Sequence, residues 1–144
     1  MIPEFTLSDQ DGVNFSSHEN IGKKNLVLFF LPQDGLPISI FEALAFKDAY
    51  PEFVENDFEV IGISSDTAST HLLFKKEYSL PYRLLSDEHS HIRKLLKIPN
   101  SFMDLVPIRV TVVIDKQGIV RKIFNSTLSH SSHIREAIGI IKKG

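Results

Sequence analysis

The stretch LPQDGLPISIFEALAFKD, Leu31 to Asp48, continues the apolar run KNLVLFFL that begins at Lys24, and the change of pattern between them decides the fold. A continuous apolar run of this length reads as a strand buried on both faces of a sheet. Pro37 suits the first turn of a helix, where its missing N–H is no loss, and Phe41, Leu44, Ala45 and Asp48 recur at helical spacing from there to about Tyr50. A buried strand, a tight turn and a helix N-terminus in succession make the carboxyl edge of an α/β sheet, where such proteins hold their chemistry.

Working outward, EFTLSDQDGVNFSS (4–17) alternates apolar and polar residues around Asp11-Gly12 and predicts a short hairpin, because both turn residues tolerate positive φ. FEVIGISS (58–65) predicts a second buried strand, with Asp66 as N-cap of a helix through Leu72, Leu73 and Tyr78 that Pro81 stops. YRLLSD (82–87) reads as a short strand, and Ser86 or Asp87 caps a helix in HSHIRKLLKI. NSFMDLVPI (100–108) reads as an irregular apolar connection. Two β-branched runs flank Lys116-Gln117-Gly118 and predict a hairpin, and SHSSHIREAIGIIKK (129–143) predicts a terminal amphipathic helix. This order of elements implies an α/β fold of thioredoxin-like type, with a central mainly parallel sheet, helices on both faces and an N-terminal hairpin.

A chain of 144 residues with 42% hydrophobic and 24% charged content is expected to form a single domain over 1–144 with a real core. A net charge of -2 gives no basic stripe for nucleic acid and no attraction to an anionic membrane. The longest apolar run is too short to span a bilayer, and MIPEFTL has neither the basic nor the apolar part of a leader, so the expected location is cytoplasmic. The chain contains no cysteine, hence no disulfide, thiolate metal site or thiol nucleophile.

Six fragments in order carry a family resemblance: PEFTLSDQDG, EALAFKDAYPEF, EVIGISSD, LLSDE, VIDKQGIVRKIFNS and HIREA. The chain resembles the peroxiredoxins of AhpC/TSA type, most closely the bacterioferritin comigratory protein or peroxiredoxin Q subgroup. The resemblance implies an antioxidant thiol peroxidase with no bound cofactor and a thioredoxin-type reductant. Its motif is Pro, three residues, Thr, two residues and Cys, with a distant Arg. On this chain it places the proline at Pro32, the threonine position at Leu36, the peroxidatic position at Ser39 and the arginine at Arg109. The resolving position, five residues on, is Leu44, and Pro37, Ile38 and Phe41 complete the pocket.

The family's chemistry centres on one sulfur. A thiolate attacks the O–O bond, and a helix N-terminus beside a guanidinium lowers the thiol pKa and stabilises the departing oxygen anion. A serine hydroxyl is a poor nucleophile unless a base takes its proton, and it has no stable sulfenic acid analogue. Leu36 removes a hydrogen-bonding hydroxyl, and Ile38 sets a β-branched side chain where the family has a glycine. Three readings follow. The first is a degenerate peroxiredoxin, a pseudoenzyme acting as a homomeric or heteromeric peroxiredoxin partner. The second is an active peroxidase of hydrogen peroxide and organic hydroperoxides in which Ser39 replaces a native cysteine. The third is a module whose apolar pocket, backed by Arg109, binds a small carboxylate or a peptide.

A serine hydrolase is disfavoured, because Ser39 lacks the G-x-S-x-G elbow; a first-turn serine satisfying a backbone N–H is the simpler reading. Arg109 either holds an anion or bridges a buried acid such as Glu42. His89 with His91, and His130 with His133, read as solvated helix-end residues rather than metal ligands. Phe29, Phe30, Phe41, Phe46 and Phe53 read as core, with Phe41 and Leu44 as candidates for an exposed groove.

Overall fold

Strand β3 (Asn25–Phe30) is buried at every residue, and it lies inside a seven-stranded sheet of order β2-β1-β5-β4-β3-β8-β9. The computed structural model describes residues 2–31, 37–88, 101–102, 106–107 and 110–125, together with Ile92, Leu95 and Gly139. Its elements are β1 (Thr6–Asp9), β2 (Asn14–Ser16), β3, α1 (Pro37–Glu55), β4 (Phe58–Ser64), α2 (Ala68–Tyr78) and β5 (Arg83–Ser86). They continue with β6 (Ser101–Phe102), β7 (Val106–Pro107), β8 (Val110–Ile114) and β9 (Val120–Asn125).

The thioredoxin-like α/β architecture is the one expected, and its parallel part is confined to β3, β4 and β5, in register Phe29↔Gly62 and Ile63↔Leu85. β1 runs antiparallel to β5 and β8 antiparallel to β3, and each also pairs antiparallel with its hairpin partner, β2 and β9, so the sheet is mixed rather than mainly parallel. Both hairpins close the same way. The Asp9 and Asp115 carboxylates each accept the amides two and four residues on, and Gly12 and Gly118 follow at φ 77 and 80. The expected hairpin around Asp11-Gly12 forms, with positive φ at the glycine and not at Asp11.

Alternation along β3 divides the core in two. Val27 and Phe29, continued by Leu31, face Ala43, Phe46 and Phe53 of α1 and Phe74 of α2. Leu26, Leu28 and Phe30 face Ile2, Phe5, Phe15 and the helical residue Ile92. Helical residues thus cover both faces. On the α1 face, Phe29 stacks on Phe46 with centroids 4.2 Å apart and meets Tyr82 edge-on at 5.3 Å. Gly62 leaves room for that stack, since a Cβ there would lie 2.8 Å from both Leu84 and Phe29.

Three boundaries differ from expectation. α1 runs past Pro51 to Glu55 rather than ending near Tyr50, because Phe53 is wholly buried between Phe46 and Phe58 and holds the last turn on the sheet. The N-cap of α2 is Thr67, whose Oγ1 accepts the Thr70 amide, not Asp66, which accepts the Ser64 hydroxyl at 2.8 Å. The connection expected to be irregular contains a two-residue ladder, Ser101↔Pro107 and Phe102↔Val106. α2 ends before Pro81, at Ser79 in the left-handed region. Asp87 accepts the Ile92 amide through both oxygens; the helix it was expected to cap, apart from Ile92 and Leu95, and the terminal helix expected at 129–143, apart from Gly139, lie outside the described residues. No helix among the described residues is long and apolar enough to cross a membrane.

Candidate functional site

The candidate site lies where β3 ends and α1 begins. Helical spacing puts Ser39, Ala43 and Phe46 on one face of α1, and all three are wholly buried. The stack of Phe46 on Phe29 presses that face onto the sheet and carries Ser39 down with it. Ser39 Oγ has no hydrogen-bond partner among the described residues, so the expected bond to a backbone N–H is not found there.

A second orphaned hydroxyl shares this side of the sheet. Thr111 of β8 is the Cα partner of Phe29, alternates onto the face of Val113, is wholly buried, and leaves Oγ1 without a partner among the described residues. Sequence reasoning missed it, although a lone hydroxyl in the run VTVVI was the available signal.

The other candidates divide by position. Glu42 is buried, Pro37 is exposed and Leu44 is partly buried. Phe41 is 64% exposed, which removes it from the expected core and leaves the exposed-groove expectation standing. Pro32, Leu36 and Arg109 lie outside the described residues, as do the side chain of Ile38 and His89, His91, His130 and His133. Among the described residues no group of three or more histidine or acidic side chains is arranged to hold a metal ion.

Around α1 the polar groups serve backbone. Tyr82 Oη donates to the Ala43 carbonyl at 2.5 Å and Lys47 Nζ to the Tyr78 carbonyl at 2.9 Å. Lys75 Nζ donates to the carbonyls of Leu80 and Tyr82, both at 2.7 Å. Burial lowers the Lys75 pKa, with Asp11 and Asp9 opposing, and burial raises the Tyr50 pKa, helped by Glu59. None of these groups supplies a base at Ser39 Oγ. What the described site can do chemically is hold a hydroxyl away from water without activating it.

The AhpC/TSA family model matches residues 1–123. This chain is a peroxiredoxin. It is similar to the chloroplastic peroxiredoxin Q of Suaeda salsa, 42% identical over 99% of this chain and 66% of that protein. The chloroplastic peroxiredoxin Q of Gentiana triflora is 43% identical over 97% of this chain and 64% of its own length. The chain thus spans just under two thirds of these plant relatives. Among solved structures it resembles the peroxidoxin BcpB of Mycobacterium tuberculosis, with TM-score 0.88, 28% identity, and 99% of this chain and 94% of that one covered. It is a peroxiredoxin of the Q or bacterioferritin comigratory type, in a family of antioxidant peroxidases that use thioredoxin-type reductants and often oligomerise. The cytoplasmic expectation is corrected, because the curated relatives are named chloroplastic. Sorting signals are read apart from the fold, so a leaderless reading of this chain does not assign a compartment.

Proposed function

We propose that this peroxiredoxin has a degenerate thiol peroxidase site and acts as a non-catalytic member of the family, a homomeric or heteromeric partner in redox homeostasis. One observation supports the reading: in a chain without cysteine, Ser39, which the family resemblance aligns with the peroxidatic position, is wholly buried with no hydrogen-bond partner for its hydroxyl among the described residues. Hydroperoxide reduction needs a nucleophile that accepts an oxygen atom and passes it on as water after reduction. A thiolate does this through its sulfenic acid, and a serine hydroxyl has no equivalent oxidised state. Leu36 and Leu44 at the threonine and resolving positions remove the hydrogen-bonding and recycling partners as well. The purified chain, given hydrogen peroxide or cumene hydroperoxide with dithiothreitol or with thioredoxin and its reductase, is expected to consume neither above the buffer rate. Sustained turnover would overturn the reading.

The Ser39 Oγ, unpartnered among the described residues, also favours a second reading, an active peroxidase in which serine has replaced a native cysteine. A thiol tolerates burial without a hydrogen bond and a hydroxyl does not, so an unpartnered serine is what such a replacement leaves behind. The codon at position 39 in the source gene separates the two: a cysteine codon establishes the second reading, and a serine codon leaves the first. The small-carboxylate or peptide-binding reading depends on Leu36, Ile38 and Arg109. It is tested by thermal shift with millimolar carboxylates, where no shift counts against it.

A further inference from the structure

Positions 39 and 44 correspond, by family resemblance, to the attacking and resolving positions, and both lie within the continuous helix α1. Five residues of α-helix rise about 7.5 Å and turn about 140°, which sets their Cα atoms about 8.6 Å apart. A covalent bridge between two side chains needs Cα atoms within about 7 Å. The two positions therefore meet only if α1 unwinds between them, and Ala43 lies in the segment that must unwind.

Ala43 is also where another element grips the helix. Tyr82, 2% exposed at the entry to β5, donates its hydroxyl to the Ala43 carbonyl at 2.5 Å, with its ring edge-on to Phe29. The connection before it is drawn in from both helices: Lys47 of α1 binds the Tyr78 carbonyl, and Lys75 of α2 binds those of Leu80 and Tyr82. One turn further on, Phe46 is fixed by its stack on Phe29. We propose that Tyr82 is a latch: its hydroxyl keeps α1 wound through Ala43 and so holds positions 39 and 44 apart. The proposal takes from the functional reading only the identity of those two positions. In a helix the Ala43 carbonyl also accepts the amide of residue 47, so removing the phenol oxygen strands no buried carbonyl and the variant folds.

Two measurements test the latch. Hydrogen exchange on the wild-type chain and Tyr82→Phe is expected to show amides 41–47 exchanging about tenfold faster in the variant, the population change that loss of one buried hydrogen bond brings, with β3 and β4 unchanged. In a Ser39→Cys/Leu44→Cys chain treated with oxidised glutathione, the two thiols lose two protons and two electrons to form an internal disulfide, and glutathione leaves as two thiols. Adding Tyr82→Phe is expected to speed that closure about tenfold, as expected for the same lost bond. Equal exchange and equal closure with and without the phenol overturn the latch and leave the degenerate-site reading untouched. Peroxide turnover by the wild-type chain would overturn that reading and leave both measurements of the latch standing.

Discussion

Replacing Ser39 by alanine is expected to stabilise the chain, which is unusual for a wholly buried residue. Burying a hydroxyl without a partner costs about 1–3 kcal/mol, and alanine is about 0.5 kcal/mol more favourable than serine inside a helix. Against this stands the lost packing of a single oxygen atom. The net expectation is a gain of about 1–2 kcal/mol, or a melting temperature about 3–6 °C higher for a chain of this size. Ser17 provides the opposite case. It is 2% exposed, but its Oγ accepts the Phe5 amide and donates to the Pro3 carbonyl, both at 2.9 Å. Ser17→Ala should therefore cost about 1–3 kcal/mol, because it strands the Phe5 amide and the Pro3 carbonyl. Urea unfolding of the three chains, with m-values compared to confirm a common unfolded state, reads both effects. If Ser39→Ala destabilises as much as Ser17→Ala, the Ser39 hydroxyl has a partner, and the claim that it is idle fails.

Ser39→Cys is expected to recover little peroxidase activity, since Leu36 and Ile38 remain; restoration to a rate typical of a thiol peroxidase would show that the pocket had never decayed. Gly62→Ala should destabilise by about 1–3 kcal/mol in chemical denaturation, because the added Cβ meets Phe29, which its stack on Phe46 prevents from moving. Tyr50 should ionise above its ordinary value of 10.0, and Glu59→Gln should bring it down, as followed by NMR of the phenol ring carbons. Because the folded state holds this proton more tightly, the contribution is intact below pH 10.0 and is lost as pH rises through the elevated pKa, so alkaline unfolding of Glu59→Gln should depend less steeply on pH.

The legible part of the fold was the part set by local pattern. KNLVLFFL and FEVIGISS announced two central strands because burial on both faces leaves unbroken apolar runs, and Pro37 marked the helix start because the missing N–H of proline is no loss in a first turn. The boundaries that escaped were set by side-chain contacts between near neighbours that helix and cap propensities do not rank. Pro51 argued for an early end to α1, but Phe53 is held between Phe46 and Phe58. Asp66 looked the better cap, and Ser64 engaged it first. At the site, the missing sulfur and the burial of Glu42 were readable from residue type and helical phase. Tyr82 was not, since its partner lies 39 residues away and only the sheet brings them together.

The most direct measurement removes the reductant from the question. Purified chain mixed with one equivalent of hydrogen peroxide and no thiol is expected to leave the peroxide concentration unchanged over the time in which a thiol peroxidase would consume a full equivalent. A rapid stoichiometric loss, with one oxygen atom found on the peptide carrying Ser39, would contradict the account.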